Sequence, residues 1–411
     1  MTLRQDMVII GGGPAGAVSA WLAARDGLSV ALIDPDRTPA RIEGLSPRLH
    51  RWLSGQGLLA GFHGVTGPLP RQVDWGGIAG GNAEYVVERA ALDRHLRAMA
   101  EQAGARLIRA AARADGGDVT LDDGRVLTCD WLLDARGRAG APRAAAGRAP
   151  ATVALAGWLL AAADAPGVQV SARPDGWLWR AALPDGRVWA QFVTDAAGHG
   201  TPVARLSAAA GPLSSAPILR EAAPRLATAQ QDLRHLRIGD AAAAMDPLSG
   251  HGQFWAVSSA LAAAAVRRTL SDDPQATAIC HRFLSARAQD TATRQARIGR
   301  DFIRAETRFA DAPFWAARRD FPDDLPVHHS RRDFAVSTGP AIVKGRITET
   351  ELLLTPRSPD GVAWFGTISA PEVWRSFQAG GDGAVAQRWG GMAPALTAAL
   401  SAEATVRHQQ G

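Results

Sequence analysis

Residues 7–16 read Met7-Val8-Ile9-Ile10-Gly11-Gly12-Gly13-Pro14-Ala15-Gly16, and this stretch decides the fold. Four apolar residues in a row suit a strand buried on both faces, and the glycines that follow stop it. Ala17 to Asp26 carries a helical pattern that ends at Gly27. Val30-Ala31-Leu32-Ile33 is the next apolar run, closed by Asp34. Strand, helix and strand in this order make a βαβ unit, which places the two strands parallel in a sheet covered on both faces. Gly11, Gly13 and Gly16 fit G-x-G-x-x-G. Between a strand and a helix each glycine has its own role. Gly11 makes the turn, Gly13 lets a pyrophosphate approach the backbone, and Gly16 permits close packing of helix on strand. Pro14 and Ala15 lie in the turn that leads into the helix, whose N–H groups and partial positive charge face the phosphates. Asp34 stands where a carboxylate accepts hydrogen bonds from ribose hydroxyls. The expected ligand is a dinucleotide, NAD or FAD.

Composition narrows the classes. Lys+Arg is 45 and Asp+Glu is 40, giving a net charge of only +5, and Lys344 is the single lysine. A Walker-type phosphate loop is excluded, because it needs a lysine that nothing before residue 344 supplies. The acids are spread among the arginines without a run of like charge, so no phosphate-tracking stripe forms and a nucleic-acid partner is not expected. Cys129 and Cys280 are far apart and belong to no C-x-x-C, which excludes a disulfide framework and a structural zinc site and fits a reducing, cytoplasmic setting. No secretory signal precedes the first strand, and the longest apolar run, around Ala260 to Val266, is too short to span a bilayer. His328-His329 has no third ligand nearby, and no metal is expected.

Outward from the first motif, Glu88 to Ala103 reads as a helix, and Arg106–Ile108, Val119–Leu121 and Trp131–Leu133 read as strands. Residues 151–231 change texture: Val168-Gln169-Val170 and Trp177-Leu178-Trp179 alternate, and Pro184-Asp185-Gly186 is a turn. This predicts an antiparallel sheet inserted into the first domain. A long helix starts near Gly252, residues 273–318 are mostly helical, and Phe321 to Arg332 reads as a linker. The expected organisation is α/β. It has a discontinuous cofactor domain (1–75, 83–150 and 232–275), a substrate domain (151–231), a helical segment with linker (276–332) and a small C-terminal α+β appendage (333–411).

A second motif selects the cofactor. Arg237-Ile238-Gly239-Asp240-Ala241, followed by Asp246-Pro247-Leu248-Ser249-Gly250-His251-Gly252, resembles the flavin-binding segment of the single-component aromatic hydroxylases and flavin-dependent halogenases. The resemblance implies a Rossmann-like FAD-binding domain in which Asp240 holds the ribityl chain and Pro247 lies near the isoalloxazine. Gly250 to Gly252 would aim a helix N-terminus at the flavin edge. Arg41-Ile42-Glu43-Gly44-Leu45-Ser46-Pro47 is similar to the family's flavin-wrapping GE-x-L segment, which brings in Arg41, Glu43 and Ser46. Arg89-Ala90-Ala91-Leu92-Asp93 and Asp134-Ala135-Arg136-Gly137 resemble two further cofactor motifs and bring in Arg89 and Asp134.

The departures separate the chemistries. The halogenases carry W-x-W-x-I-P and an essential early lysine; here Trp177-Leu178-Trp179-Arg180-Ala181 lacks the Ile-Pro, and no lysine precedes 344. The resemblance therefore implies a flavoprotein monooxygenase that hydroxylates an electron-rich aromatic ring with molecular oxygen through a flavin C4a-hydroperoxide. The reductant is NAD(P)H or a reductase partner, since Asp134-Ala135 replaces the Asp-Gly of the hydroxylases that bind NADPH tightly. The D-P-L-S-G-H-G form and the C-terminal appendage look most like the monooxygenases of tryptophylquinone biogenesis in quinohemoprotein amine dehydrogenase maturation, whose substrate is a tryptophan inside a partner polypeptide. Candidate catalytic residues are His251, beside the flavin edge, and Trp177 and Trp179, which share one face of a strand. The alternatives are a halogenase, a small-molecule aromatic hydroxylase, and a flavin-binding maturation chaperone without turnover. None of these places the chain in a membrane.

Overall fold

The βαβ unit forms in the computed structural model, which describes residues 2–76, 78–115, 117–141, 147, 149–327 and 333–404. Strand β1 (Thr2–Ile10) leads into helix α1 (Pro14–Arg25) and strand β2 (Val30–Ile33). The helix starts at Pro14, earlier than the expected Ala17, because proline's fixed φ suits the first turn and its missing N–H would be unsatisfied there anyway. Next come β3 (Ile42–Leu45), α2 (Pro47–Gly55), β4 (Val65–Trp75), β5 (Ile78–Glu88) and α3 (Arg89–Gln102). After them run β6 (Arg106–Ile108), β7 (Ala112–Asp115), β8 (Asp118–Leu121) and β9 (Val126–Asp134). The middle of the chain forms β10 (Thr152–Trp158), β11 (Gly167–Arg173), β12 (Gly176–Ala182), β13 (Val188–Asp195), α4 (Pro202–Ala210), β14 (Ile218–Glu221) and β15 (His235–Arg237). Helices α5 (Gly252–Asp272), α6 (Thr277–Ala305) and α7 (Pro313–Ala316) follow. The chain ends with β16 (Ala335–Val343), β17 (Arg346–Leu354), β18 (Trp364–Phe365), β19 (Ile368–Ser369), α8 (Ala370–Trp389) and α9 (Ala393–Ala404).

Two large sheets result. The first has the order β6-β2-β1-β9-β8-β7, and β15 also pairs with β9. On the edge away from β1, strand β9 serves two neighbours: its start pairs antiparallel with β8 and its end parallel with β15. Ile10 lies opposite Ile33 and Asp134, Ile33 opposite Ile108, and Asp134 opposite Arg237, so five parallel strands end level with one another. Such a carboxyl edge is where open α/β sheets bind ligands.

The second sheet has the order β14-β10-β13-β12-β11-β4-β5-β3. The antiparallel sheet expected within 151–231 is therefore larger than the sequence suggested, because β3, β4 and β5 join it and β11 meets β4 in parallel. Pro68, Pro70 and Gly67 hide β4 from a search for alternation. One face of this sheet packs Trp177, Trp179, Val170 and Trp189 against Ile303 of α6 and Phe314 and Trp315 of α7. The indole N–H groups of Trp75 and Trp315 reach the carbonyls of Phe302 (2.7 Å) and Arg173 (2.8 Å), so neither ring is buried with an unmet donor.

The chain packs as two compact units, residues 1–264 with 287–324, and residues 265–286 with 325–411. Both large sheets belong to the first. The second holds the β16–β17 hairpin, the short β18–β19 pair and helices α8 and α9. Among the described residues no helix is long and apolar enough to cross a membrane, and no cluster of three metal-ligating side chains occurs. His328 and His329 lie outside the described residues.

Candidate active site

The first turn is built around its glycines. Gly11 has φ +103°, and a Cβ there would collide with the Ala135 backbone; a Cβ on Gly16 would collide with the Gly11 carbonyl. Helix α1 starts on Gly13 with no side-chain cap, and the Arg89 guanidinium comes within 3.4 Å of where a Gly13 Cβ would sit. Uncapped N–H groups beside a guanidinium form an anion cradle. Pro14, Ala15 and Gly16 are buried in that first turn. Asp34 closes the cradle: its carboxylate accepts from the N–H of Gly12 (2.6 Å) and of Asp36 (2.8 Å), with Arg97 3.5 Å away.

A buried charge network stands next to it. Glu43 on β3 pairs with Arg41 (2.6 Å) and Arg89 (2.9 Å) and lies 3.4 Å from Arg220 of β14. Gln253 donates to it at 3.0 Å. Burial alone would push the Glu43 carboxyl up, but Arg89, Arg41 and Arg220 outweigh it and hold it far below the carboxylate range. Arg89 is braced by Asp93 one turn along α3 at 2.7 Å. Burial and the charges of Arg41, Arg89 and Arg138 bring Arg220 down to about 10, against the pull of Glu43. Ser46 does a local job, capping α2 through Leu49 N–H at 3.2 Å.

The carboxyl edge of the first sheet supplies the rest. Asp134 is gripped by the Arg136 side chain (2.6 and 3.0 Å). Gly239, with φ +59°, sits against Ala15 of α1, donates its N–H to Ser259 Oγ (2.8 Å), and accepts at its carbonyl from Trp255 Nε1 (3.0 Å). Asp240 therefore projects at the level of the cradle. It keeps 36% of its side-chain surface open, with Arg138 3.8 Å away. The surrounding protein still pushes its pKa up, against the opposing effect of Arg138 and Arg89.

Past Asp240 the chain makes a short turn at Pro247–Ser249, passes through Gly250 in the left-handed region (φ +62°), and enters α5 at Gly252. Asp246 caps the turn, accepting from Leu248 N–H at 2.8 Å. It borders a pocket, partly open to solvent, walled by Trp177, Leu248, Ile303, Phe314 and Phe321, with Pro247 in the lining. Burial there lifts the Asp246 carboxyl to about 6, with the Leu248 bond and the more distant Arg318 and Arg138 pulling the other way. Arg318 and Arg300 also line the cavity but are engaged by Asp195 (2.6 Å) and by Asp301 (2.7 Å). Trp177 lines the cavity; Trp179 packs in the same core cluster. His251, just before α5, does not line that pocket: its Nδ1 bonds the Ser249 carbonyl, and burial together with Arg294 and Arg48 holds its pKa down.

The structure thus brings Gly11, Gly13, Arg89, Asp34, Glu43 and Asp240 to one edge, and Pro247, Trp177 and Asp246 to one cavity. Sequence reasoning passed over Asp246, Arg220 and Arg138. Asp246 had a signal, its place beside Pro247; its apolar surroundings come from distant segments. The donor set fits FAD: a cationic cradle for two phosphates, carboxylates for the sugar hydroxyls, and an α-helix N-terminus beyond them.

Comparison with known proteins agrees. Residues 70–345 match the tryptophan halogenase family, and residues 9–42 match an NAD(P)-binding Rossmann-like domain. Among solved structures, the peptidyl tryptophan dihydroxylase QhpG, described as essential for tryptophylquinone cofactor biogenesis, is 33% identical. That match covers 98% of this chain and 100% of QhpG, with a TM-score of 0.77. The myxobacterial chondrochloren halogenase CndH shares the fold at 21% identity and a TM-score of 0.63, covering 78% of this chain and 87% of its own. The menaquinone reductase of Mycobacterium tuberculosis strain H37Rv is 35% identical over 157 residues, which is 32% of this chain and 37% of that protein. The chain thus matches little more than a third of the length of that curated relative.

Proposed function

Because the chain belongs to the tryptophan halogenase family of flavoprotein oxidoreductases, we propose that its flavin-dependent aromatic oxidation is a hydroxylation of a tryptophan side chain held in a partner polypeptide. The observation that carries this reading is the likeness to the peptidyl tryptophan dihydroxylase along nearly the whole chain. The sequence adds that no lysine precedes residue 344, so the ammonium that the halogenases require is missing from the body of the protein.

FAD, when bound and reduced, supplies activated oxygen derived from O2; NAD(P)H or a reductase partner supplies the electrons. The protein's own residues do the rest. Trp177, Ile303, Phe314 and Leu248 offer the apolar surface against which a flat ring would pack. Replacing a ring hydrogen with hydroxyl releases a proton, and Asp246 is the carboxylate placed to take it. With a pKa near 6 it is ionised at neutral pH yet basic enough to hold a proton briefly. Arg318, engaged by Asp195, offsets only part of that basicity, and Arg300 is engaged by Asp301. The two separate thiols, Cys129 and Cys280, suit a reducing compartment, and we place the protein in the cytoplasm.

The test is direct. The FAD-loaded protein is given a reductant, O2 and a tryptophan-containing polypeptide, and the product is read by mass spectrometry. Added oxygen on the indole supports the reading. A chlorinated or brominated product in the presence of halide replaces it with the halogenase reading. Maturation of a polypeptide partner by an Asp240→Ala protein that lacks flavin replaces it with the chaperone reading.

A further inference from the structure

We propose that the outer edge of β14 receives an extended segment of the partner polypeptide as an added strand, which delivers the target side chain to the cavity. The proposal rests on the peptide-substrate reading above and names where the peptide docks.

Strand β14 ends the second sheet, and among the described residues no strand lies beyond it. The register pairs Leu219 with Leu155 and Arg220 with Ala154. Ala222 N–H donates to Thr152 O at 2.8 Å, continuing that register. In an antiparallel pair alternate residues turn their N–H and C=O inward, so Ala222 and Arg220 bond to β10 and Leu219 turns both groups outward. The Leu219 side chain is 54% exposed on the face that carries the buried Leu155, an apolar neighbour ready for a cross-strand partner.

The opposite face of β14 leads to the site. Ile218 and Ala222 pack in the cluster that contains Trp177, and Arg220 reaches Glu43. Ala222 and Pro224, just past the strand, form part of the cavity wall. Leu219 and Ala222 are about 10 Å apart along the strand, so a segment paired at Leu219 carries residues two or three positions along to the cavity rim. Strand addition is read through main-chain bonds, with side-chain choice left to pockets. The occupant is therefore an extended polypeptide; a free amino acid has no use for this edge.

The experiment uses the full-length FAD-loaded protein and three probes. These are a short peptide with one tryptophan among β-branched residues, the same peptide with alternate backbone amides N-methylated, and free tryptophan. The companion variant is Leu219→Pro, since proline is tolerated on an edge strand where the N–H faces solvent. The plain peptide is expected to be oxidised about tenfold faster than the N-methylated one, and Leu219→Pro to lose that advantage with its flavin content unchanged. Equal oxidation of the two peptides by the unaltered protein overturns the proposal, and this arm stands even if Leu219→Pro misfolds. If the unaltered protein oxidises no aromatic probe, the functional reading fails by itself. The binding anisotropy of a labelled peptide then decides the edge: unchanged binding by Leu219→Pro overturns it. Self-association that Leu219→Pro abolishes, with peptide binding intact, assigns the edge to a second copy and also overturns it.

Discussion

Replacing Asp246 with asparagine separates its charge from its shape. The amide keeps the oxygen that accepts from Leu248 N–H and cannot ionise. The folded protein raises this carboxyl from 3.8 to about 6, so ionising it there is harder than in the unfolded chain. The sign follows. Below pH 3.8 both states are protonated and the position is neutral toward folding. As pH rises toward 6 the unfolded carboxyl ionises first, and the native protein loses stability. Above 6 the loss levels off at about 3 kcal/mol, from roughly two pKa units at 1.36 kcal/mol each. Asp246→Asn therefore matches the parent in acid and exceeds it by up to about 3 kcal/mol at pH 8. Aromatic hydroxylation falls by about a hundredfold in the same variant, as for loss of a general base. The assay is chemical unfolding of both flavin-loaded proteins between pH 4 and 8, alongside turnover. Parallel stability curves across that range would refute the reasoning, because Asp246 would then ionise as freely folded as unfolded.

Gly16→Ala places a methyl against the Gly11 carbonyl, so the turn opens and FAD retention after gel filtration should be lost. Arg89→Ala strips the main partner from buried Glu43; the melting temperature should drop in line with about 3 kcal/mol, and flavin titration should show weaker binding. Trp177→Ala empties part of the cavity wall and should cost about 3 kcal/mol of stability while raising the fraction of reductant consumed without product.

The glycine turn and the carboxyl edge beside it were legible because their geometry is local. Gly11, Gly13 and Gly16 act within one turn, and Asp240 follows its own strand directly. The same locality explains the placement of Arg89, at the junction of β5 and α3, and of Glu43, on the short strand β3. The substrate half was less so. Strand β4 buries only Leu69 and Trp75, carries Arg71 between apolar inward positions and is crossed by two prolines, so its alternation is faint in the sequence. Asp246 owes its raised pKa to burial in a wall built from Ala222, Ile303 and Phe314, and that surrounding exists only once β14, α6 and α7 converge. Arg220 meets Glu43 across 177 positions of sequence, a distance that no motif spans. His251 lies in a glycine-rich motif, and its ring Nδ1 bonds the Ser249 carbonyl, a local contact that the sequence alone does not show.

The central claim is that this member of a family named for halogenation installs oxygen. It is tested most directly by turnover of a tryptophan peptide under isotopically labelled dioxygen with excess bromide present, followed by mass spectrometry of the indole. The account predicts label from dioxygen on the ring and no bromine. Bromine on the ring, or hydroxyl oxygen drawn from water, would contradict it.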